Sequence, residues 1–325
     1  MIAVNRNGKR VFGRAWGKRS LADNLPADID TLYQYGSITK QITAMSIFRL
    51  AQDGKLSLDD TIGKYLPLFS GKPVSIRQVL LHASGLADFT DAPDYPLKIA
   101  PQLSIGTDWG LKWAASRPLD FPPGTKAQYS NTGYVVLARI IERVSSQSFD
   151  RFSQMRVFPT ANMRVVHPYQ YFVIRPNEAS GYLWWGKEVA GYMPVRPEHG
   201  AALNHVVNAT QWNLRQADGA GFLVGDAADL QNWDDALLAG KVLRGEWRTL
   251  YFAPGTLSNG SPAYAGPENP MKVRPAYCYG GFARIVLDGH TIYGANGGTF
   301  GFTTFTGTIP DRHLSVTTLT NFRRI

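Results

Sequence analysis

The chain has 325 residues, 44% of them hydrophobic and 18% charged, which is ample for a buried core and unlike a disordered composition. The formal net charge is +9, but the basic residues are scattered. The densest groups, residues 6–14 and 18–19, are broken by Gly and apolar positions, which reads as a solvated basic face and not as a nucleic-acid site. Cys278 stands alone, so no internal disulfide can form, and it reads as a small buried residue in a strand.

No Cys-x-x-Cys or His-Glu-x-x-His set occurs, no apolar run is long enough to span a bilayer, and no leader-like pattern opens the chain. No metal, no cofactor, no nucleic-acid partner and no membrane span are expected. The compartment stays open between the cytoplasm and a periplasmic or secreted location reached with a removed leader. Oligomeric state is open too.

In chain order, residues 2–4 and 10–16 flank Asn7-Gly8, a strong hairpin signal. A short apolar run at 32–35 precedes a helical pattern of Ile38, Ile42, Met45 and Phe48, which Asp53-Gly54 ends. Residues 75–81 read as a second helix, with His82 at its end, and 133–144 as a third, carrying Tyr134, Leu137, Ile140 and Ile141 on one stripe. The stretch 159–219 has no clear period and reads as irregular structure. Residues 227–239 are helical again. Residues 279–287, 290–294, 302–309 and 314–319 then form an antiparallel meander with turns at Asp288-Gly289 and Pro310-Asp311.

Strands at both ends and helices between them predict an α+β fold. Both ends share one antiparallel sheet flanked by helices, and a mainly helical domain is inserted. The expected division is 1–55 with 220–325 for the sheet domain and 56–219 for the insertion. A site is expected in the groove between the two.

Three pieces carry chemistry. In Ser37-Ile38-Thr39-Lys40 at a helix start, a three-residue spacing puts Lys40 Nζ within reach of Ser37 Oγ. A serine hydroxyl needs a base, and a desolvated lysine can be one. The helix N-terminus also favours developing negative charge. The tetrapeptide by itself is a weak signal and fits a capping Ser and a surface Lys better than a catalytic pair. The second piece, Tyr129-Ser130-Asn131, offers a phenol for proton transfer and an amide for substrate contact, or simply a capped helix start. The third, Ala295-Asn296-Gly297-Gly298-Thr299-Phe300-Gly301-Phe302, suits a strand edge that lets a substrate backbone approach, or a glycine-rich bulge. No Gly-x-Ser-x-Gly elbow is present.

Together with Gly54-Lys55-Leu56-Ser57-Leu58-Asp59-Asp60, Tyr65-Leu66-Pro67, Pro123-Gly124-Thr125, Ala227-Ala228-Asp229-Leu230 and residues 76–86, these pieces come in an order that resembles the class C β-lactamase-like serine hydrolases. That family includes penicillin-binding proteins, D-amino-acid peptidases and amidases, and β-lactamase-type esterases. The resemblance runs over nearly the whole chain and implies a β-lactamase/transpeptidase-like fold. It implies that Ser37 forms an acyl-enzyme on a small-molecule ester or amide, that Lys40 and Tyr129 share the proton work, and that the backbone N–H groups of Ser37 and Gly298 form the oxyanion hole. Asn131, Asn296 and Gly297 would bind substrate. One position departs from the pattern: Ala295 stands where the family usually has Lys or His. His290, an odd number of residues earlier, faces the other side of a regular strand. Two readings follow, an acyl-transfer hydrolase of neutral substrates and a catalytically weak or inactive penicillin-binding-like sensor. The remaining histidines, His82 included, read as structural.

Overall fold

The computed structural model describes residues 1–93, 95, 106–170, 173–185, 205–209, 214–268 and 272–323. The Asn7-Gly8 turn behaves as its residues dictate. Both adopt positive φ, +52° and +70°, the conformation a tight hairpin needs, and it joins β1 (Ile2–Arg6) to β2 (Lys9–Arg14). Ala3 and Asn5 are buried while Ile2 and Arg6 are exposed, the alternation of a strand with one covered face.

Two short pairs come next in the chain, β3 (Lys18–Ser20) with β4 (Leu25–Pro26), and β5 (Tyr33–Gln34), which pairs with the later β9 (Leu223–Gly225). Between them in sequence lie β6 (His167–Pro168), also on β9, and the β7 (Tyr182–Trp185) and β8 (His205–Asn208) pair. The C-terminal part forms β10 (Ala276–Tyr277), β11 (Ala283–Leu287), β12 (His290–Thr299), β13 (Phe302–Ile309), β14 (Leu314–Thr320) and β15 (Phe322–Arg323).

The main sheet has seven strands in the order β10-β11-β12-β13-β14-β1-β2, all antiparallel. Residues 2–6 of β1 pair with 318–314 of β14, so the two ends of the chain meet in one sheet. This is the α+β, β-lactamase/transpeptidase-like architecture expected from the sequence.

Helix α1 (Thr39–Gln52) is buried everywhere except Arg49 and Gln52, which makes it a central helix without a water-facing side. It packs against α4 (Asn131–Ser145), and α4 packs against α2 (Ile76–Leu80) and α3 (Thr107–Ala115). A reciprocal capping box between Ser75 and Gln78 starts α2. Helix α5 (Phe149–Arg156) leads to α6 (Ala227–Leu238), which covers the inner face of β1, β13 and β14, and α7 (Gly245–Phe252) follows. Fully buried Trp233 of α6 donates its Nε1–H to Gln41 Oε1 of α1 at 2.9 Å, tying the sheet-covering helix to the central one.

Three differences from the sequence reading have physical causes. The short helices α3, α5 and α7 have little periodicity of their own and are held by buried anchors such as Leu111, Phe149, Phe152 and Tyr251. Helix α2 ends at Leu80, and His82 turns into the left-handed region at φ +57° instead of closing the helix. Strand β12 does not stop at Gly294 but runs through Thr299, with the turn displaced to Gly301 at φ +83°. Within 159–219, the residues 171–172, 186–204 and 210–213 lie outside the described residues.

Candidate active site

Ser37 sits in a single 3-10 turn, Gly36–Ile38, between β5 and α1. Its approach is tied down from several directions. Tyr35 N–H donates to Leu223 O at 2.8 Å, the Tyr35 hydroxyl to Asp226 O at 2.6 Å, and Thr304 Oγ1 to Tyr35 O at 2.9 Å. Thr299 Oγ1 reaches Gln34 Oε1 at 2.7 Å. Gly36 has φ +56°, and a Cβ there would lie 2.6 Å from Gly298 N. A Cβ on Gly297 would overlap Tyr35 O and Thr304 Oγ1. Glycine is therefore required on both sides of a backbone-to-backbone contact that brings the Ser37 turn against Gly298 of β12.

Lys40, one turn along, is 1% exposed. Its Nζ contacts Ala220 O at 2.7 Å, Asn131 Oδ1 at 2.9 Å and Ser37 Oγ at 3.2 Å. Burial pushes its pKa from 10.5 down to about 7, against a smaller upward pull from Asp88. A neutral amine has two N–H bonds and one lone pair. In that neutral form, with the two closer oxygens taking the N–H bonds, the lone pair is left for Ser37 Oγ; the protonated form donates to all three oxygens.

Tyr129 Oη lies 2.5 Å from Ser37 Oγ. Burial pushes this phenol upward by more than the Ser37 hydrogen bond pulls it down, so it is protonated at neutral pH. With 41% of the residue open to the cleft, water moderates that push without reversing it. Lys40 Nζ also stands 4.6 Å from the Tyr129 ring centroid. A serine hydroxyl between an amine that sheds its proton near pH 7 and a neutral phenol has one group able to take its proton and another able to give one.

The structure brings Ser37, Lys40, Tyr129 and Asn131 into one hydrogen-bonded group. Asn131 opens α4, and both ends of its amide are engaged inside the protein: Oδ1 holds Lys40, and Nδ2 reaches Thr90 Oγ1 at 3.3 Å. Asn296 and Gly298 lie exposed on β12, with Gly297 buried between them. Strand β11 pairs with β12 only as far as Gly294, so among the described residues the other edge of Ala295–Thr299 has no strand partner. That leaves an extended edge against which a substrate can lie.

Sequence reasoning missed three contributors. Asp88 accepts from Asn131 N–H at 2.5 Å and Thr90 N–H at 2.9 Å and so orients the start of α4. Ala220 supplies a backbone carbonyl, which has no side-chain signature. His82 lines the site and was read as structural. A cavity of about 310 Å³ opens beside Ser37 and Lys40, walled by Tyr277, Phe282, Ile285, Ile292, Ala295 and Phe305. Ala295 places a methyl group there. His290 is elsewhere, between Asp311 Oδ2 at 2.5 Å and Arg312 Nη2 at 3.1 Å. Among the described residues no group of three or more His, Cys, Asp or Glu is placed to hold a metal, and no helix is long and apolar enough to cross a membrane.

The fold and this Ser-Lys-Tyr arrangement define the β-lactamase-like class of serine hydrolases. Residues 1–324 match the Beta-lactamase family, and the chain belongs to it. Penicillin-binding protein 4* of Bacillus subtilis (strain 168) is 29% identical over 263 residues, 80% of this chain and 56% of that protein. The chain thus spans little more than half the length of that relative. The structure of D-amino acid amidase from Ochrobactrum anthropi SV3 superimposes with a TM-score of 0.82 at 21% identity, covering 99% of this chain and 87% of that one. A penicillin binding protein from Bacillus halodurans gives 0.81 at 20%, covering 99% and 91%.

Proposed function

We propose that this protein hydrolyses a small, uncharged ester or amide through an acyl-enzyme on Ser37. The observation that carries the reading is Ser37 Oγ held between Tyr129 Oη and a buried Lys40 whose pKa lies near 7. Lys40 takes the hydroxyl proton as Oγ bonds to the substrate carbonyl carbon. The resulting oxyanion is met by the Ser37 and Gly298 N–H groups, each worth about 10²–10³ in rate by analogy with other oxyanion donors. When the bond to the leaving group breaks, Tyr129 protonates the departing atom and is reprotonated from Lys40. Water then attacks the acyl-enzyme with the same groups acting in reverse.

The preference for an uncharged substrate rests on the cavity. Lys40 is the one lysine or arginine among its described lining residues, it is already committed, and a methyl replaces the family's usual cation at Ala295. The relatives include penicillin-binding proteins and an amidase, which is compatible with acyl transfer and leaves the leaving group open. The sheet strands of 1–55 and 220–325 form one wall of the cleft in this proposal, and the insertion 56–219 supplies Tyr129 and Asn131.

Ala295 also supports a second reading, a site that is acylated and turns over slowly if at all. One panel separates the two: chromogenic short-chain esters, D-amino-acid anilides and a chromogenic cephalosporin, with wild type beside Ser37→Ala. Turnover that disappears in Ser37→Ala supports the hydrolase. A stable mass adduct on Ser37 without turnover supports the slow site. Neither adduct nor turnover overturns both.

A further inference from the structure

His82 is buried and holds a left-handed backbone, φ +57°, that a histidine seldom adopts unless its surroundings impose it. What it touches gives that conformation a purpose. Its backbone O accepts from Gln128 N–H at 2.8 Å, and its ring Nδ1 accepts from Ser130 N–H at 3.0 Å. These two donors flank Tyr129. The ring itself packs on the Tyr129 ring, with centroids 4.6 Å apart at 31°, and is backed by Tyr277 at 4.7 Å and Tyr134 at 5.0 Å. One residue therefore grips the backbone on both sides of Tyr129 and one face of its side chain.

From this geometry we infer that His82 is the positioning residue for Tyr129: it holds the phenol at Ser37 by accepting the Ser130 N–H through a neutral imidazole while its left-handed backbone catches Gln128. An acceptor at Nδ1 places the ring proton on Nε2. Burial and the neighbouring Lys40 push the His82 pKa well below its ordinary value, which keeps Nδ1 free to accept. The neighbouring segment runs in step with it, since Gly124 N–H donates to Ala83 O and Asp120 N–H to Gly85 O, both at 2.8 Å. The grip is the last rung of a ladder between 82–85 and 120–128.

This role rests on the proposed hydrolase, in which Tyr129 protonates the leaving group, and it makes a leaving-group prediction. Two variants fit the left-handed backbone: His82→Gly removes ring and acceptor, and His82→Asn keeps an acceptor close to the Nδ1 position. In His82→Gly, kcat for an alkyl ester, whose alkoxide needs a proton, is expected to fall at least tenfold with KM within twofold. For a p-nitrophenyl ester, whose phenolate leaves unaided, the fall should be about threefold or less. His82→Asn should recover most of the alkyl-ester rate. Equal losses on both esters without recovery in His82→Asn, or wild-type rates on both, would overturn the role. A crystal structure of His82→Gly decides independently of turnover. Tyr129 Oη beyond hydrogen-bond reach of Ser37 Oγ supports the grip, and an unmoved Tyr129 refutes it. Absence of Ser37-dependent turnover in wild type would remove the hydrolase reading and leave that structural arm to decide this one.

Discussion

On the helical side of the cleft, Ser37, Lys40, Tyr129 and Asn131 are joined by contacts of 2.5–3.2 Å, and Lys40 has a partner for every bonding direction. On the sheet side, Ile285, Ile292, Ala295 and Phe305 present carbon to the same space. The first wall works only as a set, because each member depends on its neighbours for hydrogen-bond partners and for the placing of its proton. The second can be exchanged residue by residue, since shape and apolarity are all it contributes. In the proposed hydrolase, chemistry is concentrated on one wall and selection on the other, and substitutions on the two should differ in kind.

The largest effect should come from the polar wall. Ser37→Ala is expected to lower kcat by about 10⁴-fold or more with the melting temperature nearly unchanged, as nucleophile removal does in other serine hydrolases. Retained activity would erase the distinction between the walls.

Lys40 comes next, and pH exposes it. Only the neutral amine accepts a proton, so kcat/KM should rise with pH and level off above about 7. Lys40→Met should lose most of the rate together with that inflection. The same shift has a sign for stability. The unfolded chain keeps Lys40 protonated up to its ordinary 10.5, whereas the folded state releases that proton near 7. The cost of burying Lys40 is therefore full below pH 7 and fades as pH rises through 7 to 10.5. Melting curves should show Lys40→Met gaining on wild type as pH falls from 10 to 7. A pH-independent difference would place the lysine pKa elsewhere.

Gly297→Ala tests the seam between the walls. Its methyl would overlap Tyr35 O, and relief requires the Ser37 turn to move. A loss of about 1–3 kcal/mol is expected, as for other overpacked sites, with a larger proportional loss of kcat.

The smallest effect belongs to the carbon wall. Ala295→His should improve kcat/KM for a carboxylate-bearing substrate over its neutral analogue by about tenfold, the scale of one hydrogen bond to a charged group, and leave the neutral ester little changed. An unaltered preference would show that residue 295 does not face the substrate.

The polar wall was legible because its residues lie at short, meaningful spacings. Ser37 and Lys40 are one helical turn apart, and Tyr129 and Asn131 straddle a helix cap. The glycines of β12 were legible as a place of close approach, though not as a continuation of the strand. Ala220 was invisible, since it contributes a carbonyl that any residue possesses. His82 was visible as a residue and unreadable as a role, because its partners, Gln128 and Ser130, lie more than forty positions away. The carbon wall escaped for a related reason: Ile285, Ile292 and Phe305 look like ordinary strand residues until the sheet is assembled beside α1.

The shared sheet also sets a schedule. A chain made from its N-terminus presents Ser37 early, while Gly298 and Thr304, against which the serine turn is pressed, appear near the end. Strand β1 waits still longer, gaining its second neighbour only when residues 314–318 emerge. A nascent chain released through α6 alone therefore has β9 beside β5 but carries its serine turn without the β12 and β13 residues that press against it. In the proposed hydrolase, reactivity then depends on β12 and β13 having been made and docked, and a chain cut short between α6 and β12 should be silent although it keeps Ser37, Lys40, Tyr129 and Asn131.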